Sequence, residues 1–303
     1  MRDITAAVTA SPAGTAAGLP LGLGLGNGRA AAAGARPAAA APEAARAGLR
    51  HAEHVMGTVF SFDVRDTPTP AIRDALGRCA AWLHRVDRVF SPYRPESPVS
   101  RLARGELGLA ACPPEVAEVL ARCAAAERVT DGWFSSTYGG RLDPSGLVKG
   151  WAVDHASDLL HAAGAGNTCV NGGGDLRTRG EAGPGLPWRI GIADPARPGA
   201  LAAVVSGTDL AVATSGTAER GTHILDPHTR LPVRTWASVT VVGTRLAETD
   251  AYATAAFAMG DAAHAWLDGR PGYAGLTVAA DGTTWQTGGS DDLIRVLPQS
   301  DAA

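Results

Sequence analysis

The clearest hydrophobic rhythm in the chain lies between residues 56 and 90, and it changes period once. Met56, Phe60, Phe62 and Val64 fall on one side of an alternating stretch, MGTVFSFDV, which predicts a half-buried strand. Pro70 then opens a segment in which Ile72, Leu76, Cys79, Leu83, Val86 and Phe90 recur at three- and four-residue steps. That spacing predicts an amphipathic helix with one face on the core. Residues 91–100, SPYRPESPVS, hold three prolines and predict irregular backbone. Pro113 and Pro114 start a second helix, with Val116, Val119, Leu120 and Cys123 inward. Thr130 to Gly140 reads as a loop with glycines and aromatic residues.

Further on, a helix after Gly150 carries Trp151, Val153, Ala156, Leu159 and Leu160 and stops at Gly164. Short strands are predicted at 168–171, 188–193, 203–206, 210–214 and 238–242. Asp250 begins a last long helix that runs to about Leu267, and a strand at 276–280 closes the pattern. Helices are few and long, strands are many and short, and regular βαβ alternation is missing. The fold class expected is α+β, with mixed β-sheets flanked by helices, rather than a doubly wound parallel sheet.

Composition divides the chain in two. Residues 30–47 contain 12 alanines in 18 positions, broken by Pro37 and Pro42. Residues 1–48 therefore read as a disordered Ala/Gly/Pro-rich leader, and residues 49–300 as the folded domain. The apolar piece from Leu19 to Leu25 is short and interrupted by glycine, a poor secretion signal, and no cysteine precedes Cys79 to carry a lipid. No apolar run approaches the roughly 18 residues of a membrane span. Cys79, Cys112, Cys123 and Cys169 form no CxxC pair, which argues against a zinc knuckle. Cys79 and Cys123 fall in apolar helical patterns and read as buried thiols. Together these features lead to the expectation of a cytoplasmic protein. A net charge of −3 leaves no basic footprint for nucleic acid.

Candidate chemistry concentrates in a few places. DPSGLVKGWAVD, Asp143 to Asp154, joins an acid, a turn, and a Lys-Gly pair at a helix start. VNGGGD, Val170 to Asp175, follows closely, and its glycine run lets backbone approach a ligand. Two such starts beside a lysine and two acids suit a diphosphate and its metal, although either alone also serves as a plain structural turn. Asp250 and Thr254 stand four apart, on one face of a helix. They make either a hard-oxygen half-site for Mg²⁺ or a helix cap and a packing residue. His223, in THILDPHT, is either structural or a base beside the small polar segment TSGTAERG, which offers Ser215, Glu219 and Arg220. Tyr93 either stacks on a planar ring or covers the core. His155, His161 and His264 lack any metal-ligand spacing and read as packing or surface residues.

Taken in order, these motifs resemble the ApbE-type FAD:protein FMN transferases. The resemblance runs from His54 to Gly260, through MGT at 56–58, FSPYRPESPVSRL at 90–102, the two glycine-bearing signatures, TSG at 214–216, HILDPHT, SVTVV and TDAYATAAFAMG. It implies an enzyme that binds FAD and Mg²⁺ and transfers the FMN half to a Thr or Ser hydroxyl of an acceptor flavoprotein, releasing AMP. Carried over by motif, Met56, Tyr93, Ser135, Asp143, Lys149, Asp175, Arg220, His223 and Ile224 would contact FAD. The Gly146 carbonyl, Asp250 and Thr254 would hold the metal, and His223 would be the base. Departures from the family pattern are Ser135 where Asp is common, Ala103 where Asn often ends the SRL motif, and a compressed segment between Ser215 and His223. The rival readings are an FAD pyrophosphatase that yields FMN and AMP, and a non-catalytic flavin-binding protein.

Overall fold

Side-chain alternation along the strands sets the layering of the molecule. The computed structural model describes residues 6–8, 48–138, 140–217 and 224–298. In chain order its elements are β1 (Ala6–Val8), β2 (Leu49–Val55), β3 (Thr58–Val64), α1 (Pro70–Phe90), α2 (Pro98–Ala103), α3 (Pro114–Val129), β4 (Thr137–Tyr138), β5 (Arg141–Leu142) and α4 (Ser145–Ala162). There follow β6 (Thr168–Gly172), β7 (Asp175–Arg179), β8 (Trp188–Ala193), β9 (Leu201–Gly207), β10 (Ala211–Gly216), β11 (Trp236–Gly243), α5 (Leu246–Met259), α6 (Ala262–Asp268), β12 (Ala274–Ala279), β13 (Thr284–Gln286) and β14 (Ile294–Val296).

An eight-stranded sheet runs β13-β12-β11-β10-β7-β6-β3-β2, antiparallel throughout. On β6, Val170 points to one face and Cys169 to the other; on β10, Ala211 and Ala213 oppose Val212. The first face is covered by α1, α4 and α5, whose Leu83, Leu147 and Phe257 join it in one large core. The second face presents Leu176, Val212, Val242 and Leu276 to Trp188, Ile190 and Ile192 of a smaller sheet, β1-β8-β9-β14. β11 is therefore buried along nearly its whole length, Ser238 and Thr240 included. Both sheets with their helices give the α+β architecture expected.

Several boundaries differ from the sequence reading, each for a local reason. Met56 is not in a strand. With Gly57 it forms the two-residue turn between β2 and β3, both at positive φ (53° and 71°), as the twist of a tight hairpin requires. β2 went unforeseen because it is an edge strand in which His51 and Glu53 take the inward positions and break the apolar alternation. Residues 91–100 are not irregular throughout: Pro98 sits in the first turn of α2, where the lost N–H costs nothing, and the Ser97 hydroxyl accepts from Ser100 N–H. α4 begins at Ser145, ahead of the Lys-Gly pair, with Pro144 O accepting from the N–H groups of Leu147 and Val148. α5 begins at Leu246, so Asp250 lies inside it and does not cap it. Gly260, at φ 59°, ends α5 and separates it from α6. Within the leader, β1 pairs in parallel with β8.

Candidate functional site

A cavity of about 950 Å³ opens where the N-terminus of α4, the β6–β7 hairpin and the middle of α5 converge. The hairpin turn is Gly173–Gly174, with φ of 60° and 99°, values only glycine adopts without strain. The turn is closed by Gly174 N–H donating to the Asn171 side chain (2.9 Å). A Cβ on Gly173 would lie 2.6 Å from the Thr58 hydroxyl, so the β2–β3 hairpin backs the turn directly. The glycine run is thus a structural turn and a cavity wall at once.

At the start of α4, Ser145 N–H donates to the Asp143 carboxylate (3.0 Å), and Ser145 and Gly146 line the cavity. At this start the N–H groups of Ser145, Leu147 and Val148 are already taken by Asp143 and Pro144, so the positive end of the helix dipole is what favours an anion there. One turn on, Lys149 forms an ion pair with Asp175 at the head of β7. The other oxygen of Asp175 accepts from Thr214 N–H (2.9 Å). Asp175 is buried, held by Lys149 on one side and Thr214 N–H on the other, and it lines the cavity.

Asp250 and Thr254 lie one turn apart on α5 and both line the cavity. Ser215 of β10 stands beside them, its hydroxyl 3.4 Å from that of Thr254. A carboxylate with two hydroxyls is a set of hard oxygen donors, the chemistry Mg²⁺ selects. Gly146 belongs to the first turn of α4, where a helical carbonyl runs toward the N–H four residues on and keeps one lone pair over. Its missing side chain also matters: a Cβ there would sit 3.3 Å from the Phe134 ring.

Of the site residues expected from sequence, Tyr93, Ser135, Asp143, Gly146, Lys149, Asp175, Ile224, Asp250 and Thr254 all line this one cavity. Tyr93 is 91% exposed, a ring held out at the mouth, which removes the reading that it covers the core. The Ser135 hydroxyl accepts from Thr137 N–H (3.1 Å). Met56 does not line the cavity and packs at the hairpin turn instead. Arg220 and His223 lie outside the described residues. His155 and His264 stack on Trp82 and Trp285, as packing residues do.

The loops after β8 and around Asp226 complete the wall and were not expected. Asp194 and Asp226 are both used up locally. Burial pushes the Asp194 carboxyl up, but the N–H groups of Ala196 and Arg197 and the Arg197 guanidinium hold it below the ordinary range. Burial acts likewise on Asp226, outweighed by the Thr229 hydroxyl and the N–H groups of His228 and Thr229. Nothing in their local sequence announces this; only closure of the loops brings them to the site.

The sequence pattern of the ApbE family matches residues 56–141 and 136–277, the stretch that builds the cavity. The chain belongs to the ApbE family. Among relatives, the FAD:protein FMN transferase of Escherichia coli K12 is 31% identical over 156 residues, 48% of this chain and 44% of that protein. The FAD:protein FMN transferase of Rhodobacter capsulatus is 30% identical over 266 residues, 69% of this chain and 51% of that protein. The chain thus spans about half the length of these curated relatives. Two solved ApbE-family structures share the fold. The ApbE protein of Thermotoga maritima superimposes with a TM-score of 0.72, and the flavin transferase ApbE of Vibrio cholerae with 0.69. Each is 22% identical, and each match covers 81% of this chain and 99% of the other.

Proposed function

We propose that this ApbE-family chain is an FAD:protein FMN transferase: it moves the FMN half of FAD onto a Thr or Ser hydroxyl of an acceptor flavoprotein and releases AMP. The observation that carries the reading is the convergence of three elements on one cavity: an anion-favouring helix start, a lysine fixed by Asp175, and a hard-oxygen pair on α5. Its volume lies at the upper end of the range for ligand sites, as a dinucleotide requires. The names of the relatives in Escherichia coli and Rhodobacter capsulatus support the same activity.

Asp250, Thr254 and the spare lone pair of the Gly146 carbonyl would hold Mg²⁺. When bound, it would neutralise charge on the diphosphate oxygens. The α4 N-terminus and Lys149 would receive the same diphosphate. Tyr93 at the mouth offers a face for a planar ring. The acceptor hydroxyl oxygen forms a bond to the phosphorus of the FMN half, and the bond from that phosphorus to the bridging oxygen breaks. AMP leaves with that oxygen. His223 is the proposed base for the hydroxyl proton; its chain neighbour Ile224 lines the cavity.

Incubation of the chain with FAD, Mg²⁺ and candidate flavoproteins tests the reading, with flavin fluorescence read on denaturing gels. Covalent flavin on the acceptor supports transfer. Free FMN and AMP without it would assign a pyrophosphatase, and unchanged FAD a binding protein. Among the described residues, no helix is long and apolar enough to cross a membrane.

A further inference from the structure

α4 and β7 are joined by a ladder of three ion pairs, and only its first rung faces the cavity. The rungs are Lys149–Asp175, Asp154–Arg177 and Asp158–Arg179. The two elements match in pitch. From Lys149 to Asp158 a helix rises about 13.5 Å, and from Asp175 to Arg179 a strand rises about 13 Å. Alternate residues of β7 therefore meet successive turns of α4, and a slip of one strand residue would turn every partner away.

The middle rung does more than join two elements. Asp154 is almost wholly buried and uses both oxygens. Oδ1 takes the Arg177 guanidinium. Oδ2 accepts from the backbone N–H of Ala247 (3.0 Å), in the first turn of α5, and lies 3.5 Å from Nε of Arg245. The residue preceding α5, Arg245, makes no side-chain cap of its own. Asp154 thus caps α5 from another helix, placing a negative charge at the positive end of its dipole. The crossing is tight here: a Cβ on Gly150 would lie 2.5 Å from the Leu246 carbonyl oxygen.

We infer that Asp154 is a positioning residue that sets the phase of α5 against α4 and β7, and so the placing of Asp250 and Thr254 relative to Lys149. A rotation of α5 about its axis would swing the Asp250 carboxylate away from the cavity while leaving the helix intact. The inference rests on the proposed cation site. Groups that orient metal ligands are worth about 10- to 100-fold in metal affinity, and that is the effect expected of Asp154.

The test is direct Mn²⁺ binding, read by electron paramagnetic resonance of the free ion, at a temperature where each variant is fully folded. D154N should bind Mn²⁺ about tenfold or more weakly than wild type. D158N, which breaks the last rung and removes the Asp158 contacts with Arg245 and Arg177 but leaves Asp154 on the Ala247 N–H, should lose clearly less affinity than D154N. The double variant D154A/R177A removes both partners, so no buried charge is left unpaired, and should show the same loss as D154N. Wild-type affinity in a folded D154N or in the double variant overturns the inference, as does an equal loss in D158N. If neither form folds, Asp154 serves stability alone and the inference is wrong. A wild-type chain that binds no Mn²⁺ overturns the cation reading of the site, and this inference with it.

Discussion

The two faces of the eight-stranded sheet are built on opposite principles. Toward the smaller sheet, Leu176, Val212, Val242 and Leu276 meet Trp188, Ile190 and Ile192, an apolar seam. Toward the helices, an apolar core is crossed by the α4–β7 ion pairs, of which the middle one is buried and the outer two reach its margins. Paired charges in an interior cost desolvation that their attraction scarcely offsets, so they are weak evidence for stability. They fix geometry instead: which turn of α4 meets which residue of β7. The apolar seam holds the sheet together, and the charged face holds a constellation in place.

Substitutions on the two faces should therefore separate catalysis from stability. The largest effect is expected at Asp250. Asp250→Ala should lose on the order of 10³-fold or more in transfer, because a bound cation contributes several kcal/mol to the transition state. Its melting temperature should barely move. Turnover at limiting Mg²⁺ and a thermal melt of the same sample check both halves. Next comes His223→Ala, expected to cost about 10²- to 10⁴-fold in transfer while FAD affinity stays near normal. Single-turnover transfer against pH should lose its ascending limb in the variant. A parallel loss of FAD affinity and melting temperature would mark His223 as structural.

The apolar face should behave in reverse. Trp188→Ala should cost about 3–5 kcal/mol of stability, seen as a fall in melting temperature on the order of 10 °C. Activity per folded molecule should be unchanged; a matching loss of turnover would mean that the seam also tunes the site. A thiol count gives a finer probe of how dry the two faces are. Burial pushes Cys79, Cys123 and Cys169 up to about 12, while Cys112 is half-exposed. Native protein at mild alkaline pH should label at Cys112 alone, and denatured protein at all four. Smallest of all should be removal of residues 1–47, which takes away only the three-residue edge strand β1 from the described structure. A melting temperature changed by no more than a few degrees is expected.

What was legible in the sequence follows from how each signal is encoded. α1 was read nearly to its ends because one face is apolar and the other polar. α5 is buried almost all round, so no phase marked its start, and Asp250 was read as a beginning. β2 escaped because His51 and Glu53 stand at its inward positions; Met56 was assigned to a strand because its apolar character fitted the alternation, while the turn it occupies depends on φ. At the site, Asp250 with Thr254 stood out by spacing because the two lie within one turn of helix, whereas Gly146 came only from the resemblance to the family. Asp154 sat in full view within the same motif, yet its partners Arg177 and Ala247 are distant in sequence, and spacing carries no trace of them. Asp175 was legible as a site residue but not as the group that fixes Lys149.

The pairing of β3 with β6 has a consequence for how the chain reaches this state. Phe60 lies opposite Gly172, so the β2–β3 hairpin finds its neighbour only after α1 to α4 have been made. Contacts so far apart close slowly, since the loop entropy comes before the reward. Until then Phe60 and Phe62 are carried on a strand whose inner edge is bare, the kind of surface on which nascent chains associate wrongly. The outer strand of the hairpin, β2, alternates apolar positions with Arg50, His51, Glu53 and His54. That polarity discourages a second chain from adding to the outer edge, so the same residues that hid β2 from the hydrophobic pattern also protect the rim of the finished sheet.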